Sequence, residues 1–280
     1  MANYTTADIK ALRERTGAGM LDVKKALDEA DGDTDKALEI IRVKGLRGVA
    51  KREGRATADG VVAVDIRAGE GGEVGTMIEV NSETDFVAKN EEFTTFADQV
   101  LAQAVATGET DIEALLNTKT ADGQLLSDVV TEVAARLGER IVVRRVARVT
   151  GEKVTSYLHK TNPDLPPQIG VLVATDAAGA EVARDVGTHI AALAPKYLSR
   201  DEVAEDIVAD ERRIAEETAR NEGRPEQALP KIIEGRLTGF FKENVLVDQA
   251  YAKDAKKSVG KVFEEVGGKV TAFERFRVGS

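Results

Sequence analysis

Asp85 and Phe86 set a carboxylate directly beside a large apolar ring, within the run Glu79-Val80-Asn81-Ser82-Glu83-Thr84-Asp85-Phe86-Val87-Ala88-Lys89-Asn90. A strand-like stretch, Val74 to Val80, precedes the pair and an amphipathic helix follows it. The pair therefore falls at a strand-to-helix corner, where loops on a rigid scaffold present side chains. Two uses fit. Asp85 can cap the next helix while Phe86 staples its first turn to the sheet. Alternatively, both are offered to a partner.

Other chemistry is sparse. Glu83 and Asp85 stand two apart, a spacing common on loops, and nothing else supports hydrolysis. Of two histidines, His189 shares a helix face with Val186, Ile190 and Leu193 and reads as a satisfied core residue. His159 ends a strand beside Tyr157. Gly260-Lys261 lacks both the upstream glycine and the following hydroxyl of a phosphate-binding loop. Gly69, Gly71 and Gly72 suit a hairpin turn better than a dinucleotide loop. No covalent chemistry, bound nucleotide, metal or other cofactor is expected, and the chain reads as a non-enzyme.

Composition narrows the partners. The chain has 280 residues, 31% of them charged, and a net charge of -10. So acidic a surface is ill suited to nucleic acid, which needs clustered Lys and Arg. Cysteine is absent, which removes disulfides, thiolate metal sites and Cys nucleophiles together and fits a reducing compartment. No apolar run approaches the ~20 residues that span a bilayer. Met1-Ala2-Asn3-Tyr4-Thr5-Thr6 lacks the layout of a signal peptide, so a cytoplasmic location is expected.

The elements that must position these residues follow from periodicity. Residues 5 to about 42 predict three short helices, the first capped by Thr5 or Thr6 and carrying Ile9 and Leu12. The turn Thr16-Gly17-Ala18-Gly19 ends it; Met20, Val23, Leu27 and Ala30 form the next stripe, and Leu38 and Ile41 mark the third helix. Such a module buries little on its own and suits docking. Arg42, Lys44, Arg47, Lys51, Arg52 and Arg55 then make a basic segment. It lacks interleaved aromatics for base stacking, so a solvated linker helix, able to meet an acidic partner, is expected.

The remainder predicts one plan twice. Strands at Val61 to Arg67 and Val74 to Val80 precede two helices and a strand at Ile141 to Val149. Strands at Lys153 to Lys160 and Ile169 to Thr175 open the second pass, which closes on a helix at Val259 to Val266 and a strand containing Val270 and Val278. Each half reads β-β-α-α-β, an α+β fold in which helices cover a sheet face. The second half carries an insertion at about 196–240. Ser199 and Glu202 read as a capping box. Val203, Ile207 and Ile214 are expected to zip against Leu229, Ile232 and Ile233 as a helical hairpin. Domains at 1–55, 56–149 and 150–280 result.

With these residues in view, the chain resembles bacterial translation elongation factor Ts. The segment around Thr84-Asp85-Phe86-Val87 is similar to that family's signature corner. Arg13 to Met20, Lys24 to Leu27, Tyr157-Leu158-His159, Ile169 to Val173, Glu234 to Leu237 and Arg275 to Gly279 match further family segments in family order. The resemblance implies a guanine-nucleotide exchange factor for elongation factor Tu, opening with a ubiquitin-associated-like three-helix module and carrying a coiled-coil protrusion. It implies that Asp85 and Phe86 act near the GTPase's Mg²⁺ site, on a corner kept rigid by Thr84 and Val87. Met20 and Leu21 would grip the nucleotide domain, and His159 would lie where the second subdomain meets another domain of the GTPase. It also implies self-association through the hairpin; from composition, neither nucleic acid nor membrane is expected as a partner. Some members continue into a C-terminal helix that touches the GTPase; here the chain stops after its last strand, so those contacts are expected to be missing. Two other readings remain open at this point: an adaptor using the three-helix module, and an RNA-associated factor using the basic segment.

Overall fold

A computed structural model describes residues 3–16 and 18–280. Gly17, in the turn expected at Thr16 to Gly19, lies outside the described residues, as do Met1 and Ala2 of the segment read for a targeting signal. Three helices open the chain: α1 (Thr6–Thr16), α2 (Met20–Glu29) and α3 (Thr34–Arg52). Thr5 rather than Thr6 caps α1, its hydroxyl donating to Asp8 Oδ2 at 2.7 Å while Asp8 N–H donates back to its Oγ1 at 3.3 Å. Asp33 caps α3 by accepting from the Asp35 and Lys36 N–H groups, both at 3.0 Å. The core between them is small, built of Leu12, Val23, Ala26, Leu27, Ala30 and Ala37.

α3 does not stop near Arg42: the basic segment is helical as far as Arg52 and its charged side chains are mostly exposed, but one face of it is not free. It continues the same helix and packs on α7, introduced below. A Cβ on Gly45 would come within 3.0 Å of Ala135 Cβ, so the missing side chain lets the two helices approach. Arg42 pairs with Glu132 at 3.0 Å, Lys44 with Glu29 at 2.7 Å, and Arg52 Nη1 donates to the Ala134 carbonyl at 3.3 Å. Intramolecular partners thus take up much of this positive charge.

β1 (Asp59–Gly69), β2 (Gly72–Ser82) and, after the helices, β3 (Val142–Gly151) form an antiparallel sheet in the order β1-β2-β3. Between β2 and β3 run α4 (Asp85–Ala88), α5 (Glu91–Thr107), α6 (Ile112–Leu116) and α7 (Leu126–Leu137). Two longer helices were expected here; α4 and α6 are single turns that periodicity does not register. Phe93, Phe96 and Val100 of α5 and Val133 of α7 bury against Val61, Ile78, Val80 and Val143 of the sheet. α7 ends at Gly138, whose φ of +75° makes a left-handed cap.

β4 (Lys153–His159) and β5 (Ile169–Thr175) open the second half, followed by α8 (Ala180–Leu193). The insertion is α9 (Glu205–Asn221) and α10 (Leu229–Asn244); a short hairpin, β6 (Ala250–Tyr251) with β7 (Asp254–Ser258), precedes α11 (Val259–Glu265) and β8 (Val270–Arg277). The sheet order is β4-β5-β8, again antiparallel. β6 and β7 were not anticipated because Ala252-Lys253-Asp254 and the lysines after it give no alternating apolar signal.

The two sheets pack against each other. Val62, Met77, Ala147 and Val149 meet Val154, Leu172, Ala174 and Phe276, with helices covering each outer face. The central strands are therefore buried on both sides, which is why β5 is an unbroken apolar run. Gly170 permits the contact: a Cβ there would stand 2.4 Å from Val62 Cγ1 and 2.9 Å from Met77 Sδ. The Val62 N–H also donates across to the Pro167 carbonyl at 2.8 Å.

The hairpin forms, with a corrected seam. Ala215 and Ala219 of α9 pack on Leu229, Ile233 and Leu237 of α10, flanked by Val208, Ile232 and Phe241. Ile214 points outward and is 47% exposed, and Val203 precedes the helix. The expected capping box does not form: Glu202 accepts from the N–H of Leu198, one residue before Ser199, at 2.6 Å, and the Ser199 side chain makes no cap bond.

Candidate functional site

β2 delivers the chain to Ser82, and the corner then turns into α4. A helix of one turn has no stability of its own, so neighbours must fix its direction. Thr84 is its cap, accepting from the Val87 N–H at 3.4 Å through Oγ1. Asp85 therefore is not the cap, and Asn90 caps α5 by accepting from the Glu92 N–H at 2.8 Å. Val87 and Ala88 are buried in the α5–sheet core and anchor the turn from below. Phe86 is turned the other way and is 73% exposed. It staples nothing.

The electrostatics of the corner are dense. Lys89 pairs with Asp85 at 3.4 Å and holds its ammonium 4.6 Å from the Phe86 ring centre. Asp59, at the start of β1, has its carboxyl pushed upward, first by burial and then by the charges of Asp85 and Glu139. Glu83 accepts from the Arg140 N–H at 2.7 Å and pairs with Arg55 at 3.0 Å. Burial opposes its charged form, but these contacts outweigh it and hold the carboxyl below the usual range. Glu139 takes both the Thr84 N–H, at 3.0 Å, and the Thr84 hydroxyl, at 2.5 Å.

Of the other predicted residues, Met20 and Leu21 begin α2 and are 61% and 71% exposed. Met20 thus leaves the buried stripe to which its spacing assigned it; Val23, Ala26 and Leu27 fill that face. His159 ends β4, exposed, its ring stacked on Tyr157 and its Nδ1 3.3 Å from the Tyr157 hydroxyl. His189 is buried: Nε2 meets Gln249 Oε1 at 2.8 Å and Nδ1 accepts from the Ala252 N–H at 3.1 Å. Thr84 to Val87 share one corner, whereas Met20–Leu21 and His159 sit on the three-helix module and the second sheet, respectively.

Sequence reasoning missed Glu139, Arg140 and Arg55. Their roles come from contacts 28 to 85 residues distant, which no local pattern encodes. It also missed Glu79, fully buried in β2, which accepts from Arg145 Nε at 2.6 Å and from the Gly279 N–H at 3.2 Å, tying the C-terminal end to the first sheet. Among the described residues no cluster of His, Asp and Glu is arranged to hold a metal ion, and no helix is long and apolar enough to cross a membrane.

The corner bares an aromatic ring, and Met20, Leu21 and His159 are exposed elsewhere on the surface. The family model described as elongation factor TS matches residues 83–280. Proteins named elongation factor Ts are similar along the whole length: 63% identical over 282 residues in Beutenbergia cavernae and 64% over 283 in an Arthrobacter species, all of each chain covered. One from Acidothermus cellulolyticus is 56% identical over all of this chain and 99% of its own. The chain belongs to the elongation factor Ts family, the nucleotide-exchange factors of translation elongation.

Proposed function

We propose that this protein is the exchange factor for elongation factor Tu, binding the GDP-loaded and nucleotide-free GTPase and promoting GDP release by disturbing the Mg²⁺ and phosphate site. The observation that carries the reading is Phe86, a ring left 73% exposed on a turn whose remaining apolar residues are buried. Folding gains little from it. A partner's pocket would gain roughly 1.5–3 kcal/mol by burying it. If that pocket opens only as the GTPase shifts, the energy drives the shift. By linkage, a factor that prefers the nucleotide-free state weakens nucleotide binding by the same ratio. A ten-thousand-fold weakening needs about 5.5 kcal/mol of differential binding, more than one ring supplies.

The remainder comes from the grips. Met20 and Leu21 hold the nucleotide domain, and the second subdomain, with His159 at a strand end, holds a different domain. Asp85 brings negative charge toward the Mg²⁺ site. Loss of that ion, which belongs to the GTPase, leaves the phosphates less neutralised and release faster. Homodimerisation through the hairpin, cytoplasmic location and the absence of nucleic-acid and membrane partners belong to the same reading; the intramolecular pairing of Arg42, Arg52 and Arg55 supports the third.

The test is direct. Elongation factor Tu carrying a fluorescent GDP is mixed with the protein and an excess of unlabelled GDP, and the release rate is followed against concentration. Release should accelerate and saturate. An unchanged rate at every concentration would overturn the assignment.

A further inference from the structure

Residues 83–84 and 139–140 are joined by side chains in a reciprocal way. The Glu83 carboxylate accepts the N–H of Arg140, at 2.7 Å, and the Glu139 carboxylate accepts the N–H of Thr84, at 3.0 Å. Each segment thus satisfies a backbone donor of the other. Glu139 has both oxygens engaged, because its Oε1 also takes the Thr84 hydroxyl at 2.5 Å. That hydroxyl oxygen in turn accepts from Val87 N–H, so the carboxylate reaches through Thr84 into α4 itself. Ser82 closes the underside by donating to the Thr84 carbonyl at 3.0 Å.

The clasp is anchored at both ends. Glu139 and Arg140 follow the C-cap of α7, and α7 carries the small-residue contact with α3 at Gly45 and Ala135. Arg140 donates to the Arg55 carbonyl, and Arg55 returns to Glu83. One corner therefore ties the turn bearing Phe86 to the helix that carries the three-helix module. An exposed ring on a one-turn helix can transmit force only if the turn resists being pushed back. Charge-assisted hydrogen bonds are short and directional, which suits that duty.

We propose that Glu139, with Glu83, is a positioning residue of nucleotide exchange: the clasp holds the Phe86 turn at a fixed angle so that docking moves the GTPase rather than the turn. The proposal rests on the exchange reading above. Neither carboxylate touches the GTPase in this scheme. Their loss should slow the release step while leaving assembly of the complex nearly intact.

The experiment measures release of fluorescent GDP from elongation factor Tu, over a range of concentrations, for wild type, Glu139→Ala, Glu139→Gln and Phe86→Ala, each checked for a folded state at the assay temperature. Glu139→Ala should lower the maximal release rate about tenfold, with the half-saturating concentration unchanged within about twofold. Glu139→Gln should fall between, since its amide oxygen can still accept the Thr84 N–H and its NH₂ can donate to the Thr84 hydroxyl, but the charge that strengthens both bonds is lost. If Glu139→Ala fails to fold, the isosteric Gln variant carries the comparison. A wild-type maximal rate in the glutamate variants, with Phe86→Ala slow, overturns the clasp and spares the exchange reading. A raised half-saturating concentration at unchanged maximal rate also overturns it, making the corner part of a grip. Wild-type release by Phe86→Ala would remove the wedge and the clasp's purpose together.

Discussion

At the scale of single residues, the clearest contrast is between Phe86 and Val87, neighbours on one turn with opposite fates. Val87 is part of the core, whereas Phe86 is 73% exposed and carries the Lys89 ammonium near its ring, a surface contact of about 0.5–1 kcal/mol. Phe86→Ala should hence leave the thermal midpoint nearly unchanged. Its maximal exchange rate should fall by about ten- to a hundredfold, as the loss of a ring's burial in a partner implies. Thermal denaturation beside the GDP-release assay checks both; a large loss of stability with normal exchange would return Phe86 to a stapling role. His189 provides a second case, of pH. Burial lowers its pKa from the ordinary imidazole value, against a smaller upward pull from Gln249. The unfolded chain therefore binds the proton more readily, and stability rises with pH across this range. The contribution is complete above about pH 6.5, the unfolded value, and declines as pH falls toward the folded pKa. Protonation would also abolish the acceptor used by the Ala252 N–H. Midpoints measured from pH 7.5 to 5.5 should fall, and His189→Gln should flatten that slope. What the sequence disclosed at this scale was the ring and its corner, because strand, polar turn and helix are local signals. It could not disclose Glu139, whose partner Thr84 stands 55 positions away.

The elements were legible where their periods are long and regular, and misread where a short or small-residue feature governs. β5 was read with its observed limits, Ile169–Thr175, since an unbroken apolar run between a Pro-rich loop and a turn leaves few alternatives. The α9 stripe was misassigned by following the largest side chains. Ala215 and Ala219 form the seam and let the helices come close, while Ile214 faces solvent. The α3 terminus was missed because glycines usually stop a helix, yet Gly45 is where α7 lies against it. The hairpin nonetheless has its own apolar cluster, and its base is closed by the Tyr197 and Leu246 backbones and by Arg200 with Asp248 at 2.7 Å. Replacing residues 205–240 by a short Gly-rich join should accordingly leave both sheets folded and exchange measurable. Any self-association of the full chain should vanish. Sedimentation equilibrium of both forms decides this: equal masses for two dimers would clear the hairpin as the contact, and loss of the folded core would show that it is not separable.

Across the whole molecule, the sequence revealed two similar halves but not how they are joined. Alternation predicts which face of a strand is apolar; for strands buried on both sides it cannot say which face meets helices and which meets the other sheet. The joint is the sheet-to-sheet core of Met77, Val149, Leu172 and Phe276, and Gly170 is its tightest point. A functional consequence follows from the proposed grips: the wedge extends from β2 and His159 ends β4, so the angle between sheets fixes their separation. Gly170→Val would drive a branched side chain into Val62 and Met77, where even a single Cβ would sit 2.4 Å from the first. Overpacking of that kind costs about 1–3 kcal/mol, and roughly 2–4 °C per kcal/mol is expected for a chain of this class. Wild type should unfold in one calorimetric transition because the halves share a core, and Gly170→Val should lower that one transition by about 2–12 °C. Its exchange rate should drop while isolated elements keep their circular-dichroism signature. Two transitions in wild type, with the substitution moving just one, would mean that each half folds for itself and that the sheet interface transmits nothing.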